Sequence, residues 1–192
     1  MAPLPHISII VGSTRPNRFS EKPAQWIFEL AQKRSDMTTE LLDLRDYPLP
    51  FYDEPTSPSM IKGEYPNAMA QTWARKIATS DGFIIVTPEY NHGYPAVLKN
   101  ALDYVYREWN NKTVGFISYG GVGGARAIEQ LRQVAVELQM APIRTSIHIP
   151  WSTYMETTKQ GIRALDEFYE KAEQLLTQLL WWAAALKAAR AR

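Results

Sequence analysis

Hydrophobic and polar positions along the chain fall into two alternating patterns. Short apolar runs with little polar interruption are each followed by a longer stretch with apolar residues at helical spacing. Ile7 to Val11 is the first run, β-branched and ended by Gly12, which predicts a buried strand. Ala24, Ile27, Phe28 and Ala31 then recur at helical spacing, with Ser20 placed to cap that helix and Pro23 close to its first turn. Thr39 to Leu44 predicts a second strand. Asp46 to Pro66 is dense in proline and irregular, and such a loop is usually functional or mobile. Asn67 to Thr79 predicts a helix with Met69, Ala70, Trp73 and Ile77 on its inner side.

The pattern repeats in the second half. Gly82 to Thr87, "GFIIVT", predicts a third strand, and Pro95 starts a helix that runs to about Trp109. Thr113 to Ser118 predicts a fourth strand. A glycine-rich turn then leads to a helix with Ile128, Leu131, Ala135 and Leu138 on one face. Ile143 to Ile149 predicts a fifth strand. A last helix carries Leu165, Phe168, Tyr169, Ala172, Leu175, Leu176 and Leu179 as an apolar stripe. Strands too apolar to alternate, separated by helices, imply an α/β fold with a parallel sheet covered on both faces. No internal repeat, linker or low-complexity segment interrupts the chain, so residues 1–192 are expected to form a single domain.

Composition narrows the function classes. Net charge is +1 over 192 residues, so no bulk field draws nucleic acid or an anionic membrane. The absence of cysteine removes disulfides, thiolate metal sites and a cysteine nucleophile together. Three scattered histidines without a carboxylate at ligand spacing give no metal site. The start, "MAPLPHISIIVG", lacks a basic n-region, and Leu175 to Leu186 contains Gln178 and is too short to span a bilayer. A cytoplasmic protein without a membrane partner is the expectation.

In open parallel sheets ligands sit beyond the carboxyl ends of the strands, where the strand order reverses. The segments that follow strands one, three and four are "GSTRPNRFS", "PEYNHGYP" and "YGGVGGAR". In the first, Ser13, Thr14, Asn17 and Ser20 supply short donors beside Arg15 and Arg18, at a turn into a helix N-terminus where backbone N–H groups favour an anion. The alternative is a plain strand-to-helix turn with solvated arginines. Asn17-Arg18 stands where a Walker motif needs Gly-Lys, and no second glycine gives a dinucleotide fingerprint. The second segment is stiffened by Pro88 and Pro95 and carries Glu89, Tyr90, Asn91 and Gly93, which suits a flat heteroaromatic ring with polar edges. The third contains Gly120, Gly121, Gly123 and Gly124, which permit close backbone approach. Phe116 stands where a hydrolase elbow around Ser118 would need glycine. Three ligand-like loops without acid–base machinery fit chemistry carried by a cofactor.

Together, "GSTRPNRFS", "TPEYNHGYPAVLKNALDY" and "SYGGVGGARA" resemble the NADPH-dependent FMN reductase family of flavodoxin-like proteins, which includes quinone reductases and azoreductase-type enzymes. The likeness runs from Ile7 to about Ile149. It implies a flavodoxin-like sheet of order 2-1-3-4-5 and non-covalent FMN. The phosphate would lie near Ser13, Arg15, Asn17, Arg18 and Ser20. The isoalloxazine would lie against Pro88, Glu89, Tyr90 and Asn91, with Gly93 following, and Ser118, Tyr119, Gly120 and Gly121 would approach from the third loop. The activity implied is hydride transfer from NADPH or NADH to FMN, then to a small-molecule acceptor such as a quinone, free flavin or azo compound, with no side chain as catalytic base. The resemblance also implies a homodimer or homotetramer, with Leu98 to Tyr106 and the Asp46 to Pro66 loop as contact candidates. The competing readings are a flavodoxin-type electron carrier, against which a net charge of +1 speaks, and a flavin-binding regulatory protein without turnover. The C-terminal "LLWWAAALKAARAR" reads as a helix end packed on the sheet, its basic residues favourable at the helix dipole; a subunit contact is the alternative.

Overall fold

The computed structural model describes residues 3–191. Five strands, β1 (His6–Val11), β2 (Thr38–Asp43), β3 (Gly82–Pro88), β4 (Thr113–Tyr119) and β5 (Ala141–Ile149), form one parallel sheet in the order β2-β1-β3-β4-β5. The flavodoxin-like order expected from the sequence is the one found. β3 and β4 are buried at every position, as continuous apolar runs in a sheet covered on both faces should be.

Two cores flank the sheet. On one face, α1 (Glu21–Gln32) and α6 (Tyr169–Arg190) bury Trp26, Ile27, Leu175, Leu176 and Leu179 against Ile7, Ile84 and Ile117. On the other, α2 (Ala68–Thr79), α3 (Ala96–Asp103) and α4 (Ala125–Glu137) cover Ile10, Ile85 and Phe116. Asn67 caps α2, its side chain accepting from the amides of Met69 and Ala70.

Two helical expectations change. The helix after Pro95 ends at Asp103 rather than near Trp109. Trp109 is fully buried, 4.8 Å from Phe83 and 6.0 Å from Trp73 between ring centroids, and donates to Leu102 O. A continued helix could not turn the indole back into that cluster, and the Tyr106 amide instead bonds the Tyr65 hydroxyl. The last helix starts later than its stripe, since Leu165 and Phe168 lie in a 3₁₀ stretch, Ile162–Phe168, before α6. Ahead of it comes a helix the pattern does not predict, α5 (Trp151–Gln160), which ends at Gly161 with φ 86°. The buried positions of α5 are Thr153 and Thr157, so it has no apolar stripe to betray it in the sequence.

The base of each ligand-side loop is pinned to the sheet. Gly12 N donates to Val86 O at 2.8 Å, which carries the β1–β3 pairing past the strand end. Glu89 N donates to Tyr119 O at 3.1 Å and does the same for β3 and β4.

At the opposite end of the sheet, Asp81 holds the C-terminus of α6. Its carboxylate accepts from Lys187 Nζ at 2.7 Å, from Arg190 Nη2 at 2.6 Å and from the His6 amide at 2.9 Å. The basic residues thus meet a nearly buried carboxylate besides the helix dipole. Trp181 and Trp182, the pair singled out in the sequence, lie edge to face and are 65% and 37% exposed. Replacing Asp81 with alanine should strand two cations and lower stability by about 2–3 kcal/mol. Urea denaturation measures the loss, and hydrogen exchange should quicken first in the last turns of α6.

Candidate active site

The first loop is built around Arg18. Its side chain is buried, and its guanidinium donates to Ser13 O, to Asp43 Oδ1 at 2.7 Å, to Asp43 Oδ2, and through Nε to Glu21 Oε1 at 3.0 Å. Burial works against the charged form, but the hydrogen bonds and charges of Asp43 and Glu21 outweigh it and raise the Arg18 pKa. Burial alone would also raise the Asp43 carboxyl. The Arg18 bonds, the Arg45 amide and both positive charges reverse this and hold Asp43 below the usual carboxylate range. Arg45 adds a second brace, donating to Thr14 O at 3.3 Å and to Arg15 O at 2.7 Å.

With the carbonyls of this loop turned toward two arginines, its amides are left over. Among the described residues, the N–H groups of Asn17, Arg18, Phe19 and Glu21 donate to no protein acceptor, while that of Ser20 faces the Tyr119 phenol. Asn17 adopts φ 53°, which bends the run toward the start of α1. Ser20 occupies the cap position of α1, yet its side chain caps nothing. Its hydroxyl is fully buried beside the Tyr119 phenol, without a hydrogen bond of acceptable geometry. The first N–H groups of a helix lack intrahelical partners, and several such donors close together make a receptor for an anion. Arg15 is exposed, and among the described residues its guanidinium meets no carboxylate.

The second loop is a tight turn. Tyr90 and Gly93 exchange backbone hydrogen bonds of 2.8 and 3.0 Å, while Asn91 and His92 both take positive φ, 49° and 70°. Two successive left-handed residues are the requirement of a type I′ turn, met here without glycine. Such conformations cost free energy and persist where surroundings over-determine them. The surroundings are visible: Gln130 Nε2 donates to His92 O at 3.0 Å, and the Tyr90 hydroxyl meets Ser13 Oγ at 3.1 Å. The amides of Asn91 and His92 donate to no described protein group. The Glu89 carboxylate is taken by Arg126, accepting from its Nε at 2.6 Å and from its backbone amide at 3.1 Å. Glu89, a candidate for ligand contact in the sequence, is thus spent with Arg126 on locking the second loop to the start of α4.

The third loop folds over Ser118. The Ser118 hydroxyl donates to Gly123 O at 2.6 Å and lies 3.3 Å from His148 Nδ1, while Ser146 Oγ lies 2.8 Å from Nε2 of the same ring. Burial lowers the His148 pKa. Gly124, at φ 74°, is indispensable, because a β-carbon there would sit 2.6 Å from Ser118 Cβ. Ser118 is therefore a prop beneath the loop, and Gly121 points to open solvent.

The three loops enclose a cavity of about 300 Å³. Arg15, Asn17, Arg18, Pro88, Glu89, Tyr90, Tyr119 and Gly120 line it, as do Phe19, Trp151 and Tyr154. Ser13, Ser20, Asn91, Gly93, Ser118 and Gly121 are absent from the lining and belong to the loops around it. Phe19, Trp151 and Tyr154 escaped the reading of the sequence. Phe19 lies inside the first motif as an apolar residue among donors. Nothing around Trp151 and Tyr154 marks a helix.

The NADPH-dependent FMN reductase family matches residues 5–152. The chain belongs to that family. An NAD(P)H-dependent FMN reductase of Schizosaccharomyces pombe is 42% identical over 148 residues, 76% of this chain and 74% of the relative. A quinone reductase of Pseudomonas putida is 34% identical over 144 residues, 70% of this chain and 71% of the relative. Among solved structures, a flavoenzyme NAD(P)H:(acceptor) oxidoreductase from Paracoccus denitrificans superposes with a TM-score of 0.64 at 23% identity, covering 90% of this chain and 99% of that one, a likeness of fold. Membership assigns the enzyme class, an NAD(P)H-dependent reductase, and pairs it with FMN.

The Arg18–Asp43 pair gives this member of the family a measurable acid dependence. Because Asp43 titrates below its ordinary value of about 3.9, its contribution is fully present above roughly pH 4 and is lost as pH falls through the lower folded-state value. Asp43→Asn should cost about 2 kcal/mol at neutral pH and flatten stability below pH 4. Urea midpoints measured from pH 3 to 7 would show both effects, and parallel curves for the two proteins would contradict them.

Proposed function

We propose that the chain is an FMN-dependent NAD(P)H oxidoreductase acting on small electron acceptors such as quinones, free flavin or azo compounds. The observation that carries this reading is the group of orphan amides at Asn17, Arg18, Phe19 and Glu21, next to a cavity with aromatic walls. The residues present fit a mononucleotide: an anion receptor at one end, stacking surface at the other. Bound FMN would supply the hydride chemistry, taking two electrons and a proton from NAD(P)H and returning them to the acceptor.

The chain's own part is to bind and orient. The free amides of the first loop would hold the phosphate, and Arg15 would add positive charge. Arg18 is not a direct ligand in this reading, since its donors are spent on Asp43, Glu21 and Ser13. The Asn91 and His92 amides face the polar edge of the ring and favour negative charge there. Glu89 and Arg126 keep that turn in register. The relatives, an FMN reductase and a quinone reductase, support flavin and quinones as acceptors. We read the proline-rich loop, with Phe51 79% and Met60 71% exposed, as the face that meets a second copy of the chain.

The purified protein should be yellow, or become so on addition of FMN, and should oxidise NADPH when a quinone is present. Arg15→Ala should weaken FMN binding about tenfold, equivalent to about 1.4 kcal/mol, while leaving the urea midpoint unchanged. Equilibrium dialysis and steady-state assays measure these quantities. A protein that takes up no FMN removes the proposal.

A further inference from the structure

α5 brings two aromatic residues to the cavity from outside the three ligand-side loops. Trp151 and Tyr154 stand three positions apart on this helix, on one face of it, and their rings lie parallel, 4.6 Å apart with 9° between planes. Tyr154 is held from behind, with its ring centroid 4.3 Å from Phe19 and 6.2 Å from Tyr119. Trp151 ends the stack and is 55% exposed. An indole left this open, yet oriented by a fixed neighbour, gains nothing for the fold that a smaller side chain would not give. It forms instead one wall of the same cavity that the first loop's orphan amides adjoin.

The two features have complementary chemistry. Orphan N–H groups and Arg15 suit a phosphate, whereas a pre-stacked indole suits a flat, electron-poor ring. A phosphate and a planar ring joined by a short chain would reach both. The family's match ends at residue 152, so the Trp151–Tyr154 pair straddles its boundary and Tyr154 lies beyond it. We propose that Trp151, backed by Tyr154, is a positioning residue that stacks on the isoalloxazine ring of the bound flavin. This rests on the FMN reading above.

Trp151 can be tested directly, because its exposure means that removal opens no core cavity. Tyr154, packed on Phe19 and Tyr119, is the poorer target. The apoprotein should be titrated with FMN and with riboflavin, which has the same ring and no phosphate, following quenching of flavin emission. Trp151→Ala should weaken both ligands by the same factor, about tenfold, and Trp151→Phe should restore most of the affinity. Arg15→Ala should weaken FMN alone. Wild-type affinity for both ligands in Trp151→Ala overturns the inference and leaves the proposed function standing, as does a loss confined to FMN, which would place the effect at the phosphate. A wild-type protein that binds neither flavin overturns both. The circular dichroism spectrum of Trp151→Ala should match the wild type, and binding is read without turnover.

Discussion

A buried guanidinium organises the ligand side of this molecule. Arg18 joins the carbonyl of Ser13, the carboxylate of Asp43 at the end of β2 and that of Glu21 at the start of α1. A charge so far from water must be paired on every side. Meeting that need draws three parts of the chain to one point and fixes the path between them. The consequence is in the backbone. Arg18 and Arg45 consume carbonyls of the first loop, and the amides of Asn17, Arg18, Phe19 and Glu21 are left without partners among the described residues.

The second and third loops follow the same logic of side chains holding backbone. Glu89 is spent on Arg126, the Ser13 hydroxyl on Tyr90, and Ser118 on Gly123 and His148. Most of these polar side chains are turned toward the protein. Such bracing lets the turn at Asn91 and His92 keep two left-handed residues, and it settles the cost of ordering before any ligand arrives. A site of this kind has little need of an acid or base of its own. It needs donors at fixed positions and a flat surface, and the cavity supplies both.

The C-terminal third is built differently. α6 buries a leucine stripe and is tied down at its far end by Asp81. Between β5 and α6 the chain inserts α5, whose buried side is two threonines, and Thr157 bonds back to Thr153 O within the helix. That helix contributes little to the core. Its contribution is positional, since it stands Trp151 and Tyr154 beside the first loop.

Much of the fold was legible in the chain because its strands are continuous apolar runs and most of its helices carry one apolar face. The five strands, the parallel sheet and the convergence of three loops follow from patterns a few residues long. The helix after Pro95 is shorter than its spacing suggests because Trp109, which looks like a helical residue, is claimed by Trp73 and Phe83 from distant parts of the sequence. α5 left no trace because periodicity reports apolar burial and this helix buries hydroxyls. The candidate site divides the same way. The sequence by itself determined that an anion-favouring loop, a stiff turn and a glycine turn share one edge of the sheet, since each is set by local residue chemistry. Only the tertiary structure decided which arginine is free. Arg15 and Arg18 are equivalent as letters, but Asp43, twenty-five positions beyond Arg18, is near enough to take its guanidinium and leave Arg15 to the solvent.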